Sequence, residues 1–200
     1  MFKLNLLRVL LVFGILSMLA ACKKKEGEGT GDAQKMPPTM GQQMATGVQP
    51  CGISWTTPSH WTVMPPKTMR IASYGIPAPT GDGEMGECGV FYFGGGQGGT
   101  GQDNINRWIG QFDQGGKHAI SSKEVNGMKV SIIQIDGAYL SPSGPMMQSQ
   151  GKKEHFRLLG AIIEGPRGLV FFKCTGPLNT MTAAQSDFDA LVSSCVSSPA

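Results

Sequence analysis

The apolar positions of this 200-residue chain fall into three regimes. An apolar stretch, broken only by Ser17, runs from Val9 to Leu19, preceded by Lys3 and Arg8. It is too short to cross the hydrocarbon core of a bilayer and is laid out as an export signal that is removed. Lys23 to Pro50 follows, with no aromatic, Leu or Ile residue, and with Gly27, Gly29, Gly31, Gly41, Gly47 and three prolines. Such a stretch cannot bury enough apolar area to offset its ordering entropy, and it predicts a flexible tether. From Cys51 onward the apolar residues become periodic, which predicts one folded domain over residues 51–198.

Within that domain, Ile53 and Trp55, then Trp61 and Val63, alternate with polar neighbours about a Pro58-Ser59 turn and predict two short strands. Met69 to Ile76 predicts a third strand, closed by Pro77 and Pro79, and Thr80 to Gly86 a loop. Cys88 to Phe93 is apolar on both faces, as a central strand covered on each side would be. Thr100 and Asp103 mark a helix start, and Ile105, Trp108, Ile109 and Phe112 repeat with helical spacing before Gly115-Gly116. Lys123–Val125 and Met128–Ile135 flank Asn126-Gly127, a strong hairpin signal. A loop from Ser141 to Lys153 leads to a second hairpin, His155–Glu164 and Leu169–Cys174, about Gly165-Pro166-Arg167-Gly168. A last helix starts near Asn179 or Thr180 and sets Ala184, Phe188, Leu191, Val192 and Cys195 on one face. Hairpin-linked strands with two helices predict the α+β class: an antiparallel β-sheet with two packed helices, in a single domain after the tether.

Leu19-Ala20-Ala21-Cys22, at the end of the apolar stretch, resembles the lipobox of bacterial lipoproteins, in which a peptidase cuts before the cysteine and its thiol and new amine are acylated. The resemblance implies a signal peptide over residues 1–21, a palmitate-bearing Cys22, and residues 22–50 as the lipidated N-terminus and tether. Lys23 after the cysteine resembles the outer-membrane sorting pattern, so the expected location is the bacterial cell envelope, at the outer membrane. The element order of the body, with Pro58-Ser59-His60-Trp61, resembles the Mog1/PsbP-type domain over most of Cys51 to Val196. That resemblance implies a binding or assembly role without catalysis.

Charge adds an exclusion. Losing Lys3 and Arg8 with the leader takes the basic residues from 17 to 15 against 14 acidic ones. A nearly neutral, sparsely charged body carries no footprint for nucleic acid. The Lys23-Lys24-Lys25 run would lie against anionic headgroups beside the anchor or serve as the solvated start of the tether. The expected partners are therefore the membrane, through the acyl chains, and a protein of the envelope. Besides Cys22 there are Cys51, Cys88, Cys174 and Cys195, an even set in an exported chain and in no C-x-x-C spacing, which predicts two disulfides. Cys88 begins one strand and Cys174 ends another, so antiparallel neighbours would bring them together. Cys51 and Cys195 mark the two ends of the domain, and chain ends often lie close. The expected pairs are Cys88 with Cys174 and Cys51 with Cys195.

The glycine loop Gly94, Gly95, Gly96, Gln97, Gly98, Gly99, Thr100, Gly101 is the candidate ligand or partner site. Gly94, Gly96 and Gly99 satisfy G-x-G-x-x-G in form, but that fingerprint belongs to a parallel β-α-β unit, and an Asn-Gly hairpin follows here. Three readings remain: backbone N–H groups at a helix start that hold an anion or small ligand, for a carrier or an enzyme; a partner-facing loop outside the core; or glycines at φ > 0 that merely join strand to helix. On either recognition reading Gly96 and Gly98 should accept alanine with melting nearly unchanged and capture weakened, whereas a large loss of stability would mark the loop as structural. Asp82, Glu84 and Glu87 depart from the calcium-loop pattern and read as a solvated acidic turn. Met36, Met40, Met44, Met146 and Met147 are soft donors suited to Cu(I), but tether composition and gap-filling explain them more cheaply. His60, His118 and His155 form no catalytic motif. No catalytic residue, metal or cofactor is assigned.

Overall fold

The computed structural model describes residues 50–79, 83–140 and 151–198. The leader, Cys22, the tether before Pro50, Asp82 and Met146-Met147 lie outside the described residues. Among the described residues are nine strands and three helices: β1 (Ile53–Ser54), β2 (Thr62–Val63), β3 (Ala72–Ile76), β4 (Gly86–Tyr92), α1 (Gly101–Ile109), β5 (Lys117–Val125), β6 (Met128–Leu140), β7 (Lys152–Gly165), β8 (Gly168–Pro177), α2 (Leu178–Ala183), α3 (Gln185–Ser193) and β9 (Val196–Ser197). Seven strands form one antiparallel sheet in the order β2-β3-β4-β8-β7-β6-β5, while β1 and β9 pair in a separate ribbon. The α+β expectation holds.

The sheet is apolar on both sides because its central strands alternate between two cores. On β8, Val170, Phe172 and Cys174 join a core with Met181, Phe188, Leu191 and Val192 of α2 and α3. Phe171 faces the other way, with Ile105 and Trp108 of α1. A strand covered on both faces reads as a near-continuous apolar run, which is what Cys88–Phe93 and Leu169–Cys174 share. The β1–β9 ribbon brings the two ends of the domain together, with Ile53 opposite Ser197.

Local signals explain most element limits. Thr100 and Asp103 form a complete capping box at the start of α1. Asn126 and Gly127 take φ of 49° and 79°, the left-handed pair that a two-residue hairpin requires. Among the limits that differ from the sequence reading, three have a local cause. Met69 is an exposed turn residue at φ 66°, so β3 starts only at Ala72. Helix α1 closes at Gly110, and Phe112 reaches the core from an isolated bridge to Tyr139, just before a short 3-10 turn over Asp113–Gly115. The last helix is two, divided at Ala184, yet Phe188 N still donates to Ala184 O at 2.9 Å, so Met181, Ala184, Phe188 and Leu191 keep one buried face.

Cys88 and Cys174 are direct register partners on β4 and β8 and are joined by a disulfide. Cys51 and Cys195 differ from expectation: both are buried free thiols. Each makes a hydrogen bond to a local carbonyl instead, Cys51 Sγ to Ile53 O at 3.6 Å and Cys195 Sγ to Leu191 O at 3.5 Å.

Candidate functional site

The glycine loop is a folded connection. Gly94, Gly96, Gly98 and Gly99 all take φ between 70° and 99°. Gln97 N donates to Gly94 O at 3.2 Å, closing a turn. The buried Asn104 of α1 then ties the loop to its helix, its Nδ2 donating to Gly98 O and Thr100 O, each at 2.9 Å. A Cβ on Gly98 would lie 2.5 Å from the Phe93 ring, whereas a Cβ on Gly96 would meet nothing within 4 Å. The expectation that alanine is neutral at both positions is therefore corrected. Gly98→Ala should destabilise by about 2–4 kcal/mol, left-handed strain and overpacking together. Gly96→Ala should cost about 1–2 kcal/mol, from strain alone. Urea unfolding of the two variants side by side checks the difference.

Between this loop and the β7–β8 turn lies an open groove of about 540 Å³, lined by Gly96, Gln97, Thr100, Asp103, Glu164 and Leu169 among others. Its charge argues against anion capture. The Asp103 carboxylate accepts from Thr100 N at 3.0 Å and Thr100 Oγ1 at 2.6 Å, and these bonds hold its pKa below the usual carboxylate value. The helix start is thus already served by the chain's own carboxylate, and Glu164 adds a second, only loosely paired with Lys129 at 3.4 Å. The groove suits the opposite sign: extended backbone bearing Lys or Arg.

A second group of polar residues lies on the sheet face that carries α1. Lys173 on β8 is largely buried, and its Nζ donates to Gln111 Oε1 at 2.5 Å and to Tyr139 Oη at 3.4 Å. Burial, with Arg70 nearby, pushes the Lys173 pKa down to about 8, and Glu87 partly opposes this. Arg70 and Lys67 both donate to Glu87, whose pKa their hydrogen bonds and charges lower against the opposing effect of burial. Arg70 also stands over the Phe91 ring, 5.4 Å from its centroid. Sequence reasoning missed this group. The signal within reach was a single Lys in the apolar run Val170–Cys174.

The other sequence candidates are dispersed. Glu84 pairs with Lys153 at 2.6 Å, and Glu87 with Arg70 and Lys67, so two carboxylates of the acidic loop are held by cations. His60, His118 and His155 are all exposed, and His60 bonds Asp187 at 2.9 Å. Among the described residues no three His, Cys, Asp or Glu side chains are grouped to hold a metal, and no helix is long and apolar enough to cross a membrane.

No protein-family model and no curated protein matches the chain. Among solved structures, it is similar to PA94, a protein of unknown function from Pseudomonas aeruginosa. The identity is 9% and the TM-score 0.42, over 70% of this chain and 99% of that one.

Proposed function

We propose that this chain is a lipid-anchored binding or assembly protein of the bacterial cell envelope, without catalytic activity, held at the outer membrane by acylated Cys22. The groove beside the glycine loop carries the reading. It offers bare backbone from five glycines, Gly96, Gly99, Gly101, Gly165 and Gly168, and the carboxylates of Asp103 and Glu164, between the glycine loop and the β7–β8 turn. Those are the means to hold an extended partner segment bearing Lys or Arg. The lipobox resemblance supports the anchor, and the Cys88–Cys174 disulfide suits an oxidising compartment.

The test is made in intact cells on the full chain. A photo-reactive residue replacing the exposed Gln97 should give a discrete adduct with an envelope protein, and one replacing Ser121 on β5 should not. Glu164→Lys should abolish the adduct by reversing the groove's charge. An adduct indifferent to that reversal, or none at all, overturns the groove. Cys22→Ser should lose palmitate label and membrane retention, because acyl chains contribute about 0.8 kcal/mol per buried methylene. Wild-type protein that takes up no label overturns the anchor.

A further inference from the structure

Lys173 has glycine on both sides. Its register partners are Gly89 on β4 and Gly160 on β7. Glycine inside a strand weakens it and marks places where something else must approach the backbone closely. Here the approach is visible on each flank. A Cβ on Gly89 would lie 3.0 Å from Arg70 Nε, so the guanidinium lies down over Gly89. A Cβ on Gly160 would lie 2.5 Å from the Trp108 ring. Lys173 therefore rises between a guanidinium and an indole, with its own ammonium turned toward Tyr139 Oη and Gln111.

The charges in this cluster do not balance. Three cations, Lys67, Arg70 and Lys173, share one carboxylate, Glu87. Arg70 and Lys67 bond that carboxylate directly, while both hydrogen-bond partners of Lys173 are neutral. A largely buried ammonium with no directly bonded counter-ion is expensive, and a purely structural position would be better served by an apolar residue. Burial already drives the lysine toward losing its proton, which a bound negative charge would reverse. The Arg70 side chain keeps 22% of its surface exposed, so solvent reaches the cluster.

We propose that Lys173, Arg70 and the Tyr139 hydroxyl form a binding site for a small soluble ligand bearing an oxyanion, a phosphate or carboxylate group. Arg70 supplies a planar fork, Lys173 a point charge and Tyr139 a neutral donor, a set that grips an oxyanion from three directions. The site lies on the α1 face of the sheet and does not rest on the partner groove.

The experiment is a thermal-unfolding titration of the detergent-solubilised full chain with inorganic phosphate and, separately, citrate, at ionic strength held constant with sodium chloride. Either anion should raise Tm in a saturable way, as a ligand that binds only the folded state must. Vesicles of phosphatidylglycerol form a third arm, and a response to them alone would overturn the assignment to a soluble ligand. Lys173→Met should weaken the response at least tenfold, and without anion it should melt no lower than wild type, since it removes an unpaired buried charge. Arg70→Gln, with its fold checked by circular dichroism, gives an independent second loss should the first variant not fold. Glu164→Lys should keep the full response, which separates this site from the partner groove. A wild type that responds to neither anion, or a response that Lys173→Met and Arg70→Gln both retain, overturns the proposal.

Discussion

Removing the Cys88–Cys174 bridge is expected to lower the unfolding free energy by about 4–5 kcal/mol. The bridge joins residues 86 positions apart, and closing a loop of that length restricts the unfolded chain by about that amount. In a domain of this size that corresponds to a fall in Tm on the order of 10–15 °C. Both sulfurs are buried between β4 and β8, under the core that α2 and α3 cover, so reductant should act on the unfolded chain and leave the native one bridged. Urea unfolding with and without dithiothreitol, beside a Cys88→Ala/Cys174→Ala variant, makes the measurement. A midpoint unmoved by reductant would sink the expectation. Alkylation without reductant adds an independent count. Burial and the neighbouring Cys51 push the Cys195 thiol up to about 12, so neither free thiol should react in the native state and both should react on unfolding. Their failure to react on unfolding would show that Cys51 and Cys195 form the second bridge in the exported protein.

The parts of the fold that were legible in sequence are those fixed by neighbours along the chain. The capping box needs only Thr100 and Asp103, and the hairpin only Asn126 and Gly127. The Cys88–Cys174 pair was reachable because each cysteine lies in a strand whose antiparallel placement could be inferred. What failed to show depends on distant partners or on exposure. Lys117 to Ser122 belongs to β5, yet it is an edge strand with all six residues exposed, so no apolar alternation announces it. His155 sits at φ 56° where the β6–β7 register shifts, and the irregularity brings Lys153 over the Phe156 ring, 5.0 Å from its centroid. A period-two reading that begins at His155 cannot see that change of phase. The glycine loop was visible as an opening, but Phe93 under Gly98 and Asn104 behind it make it a built turn. The Lys173 group lay furthest from view: Gly89 and Gly160 meet it only across strand pairs, and Arg70 only through a third strand's approach.

Gly160→Ala should be among the most damaging single-methyl additions in the domain. The new Cβ would lie 2.5 Å from Trp108 Cζ3, 2.8 Å from Cε3 and 2.9 Å from Ile133 Cγ2. The backbone cannot retreat, because β7 is bonded to β6 on one side and β8 on the other. Trp108 cannot swing out without lifting α1, whose start is fixed by the capping box and by Asn104. Overpacking of this kind costs about 1–3 kcal/mol, and the fixed surroundings put this site near the upper end. A double-mutant cycle isolates the cause. Trp108→Leu alone opens a cavity and should cost about 2–4 kcal/mol. With that space available, the methyl at 160 should cost far less, giving a favourable coupling of about 1–2 kcal/mol. Lifting α1 would also draw Gln111 away from Lys173, to which it is bonded at 2.5 Å, so Gly160→Ala should blunt the phosphate response as well. If the costs of the two substitutions simply add, Trp108 does not hold position 160 to glycine, and the packing that orders this face of the sheet must lie elsewhere.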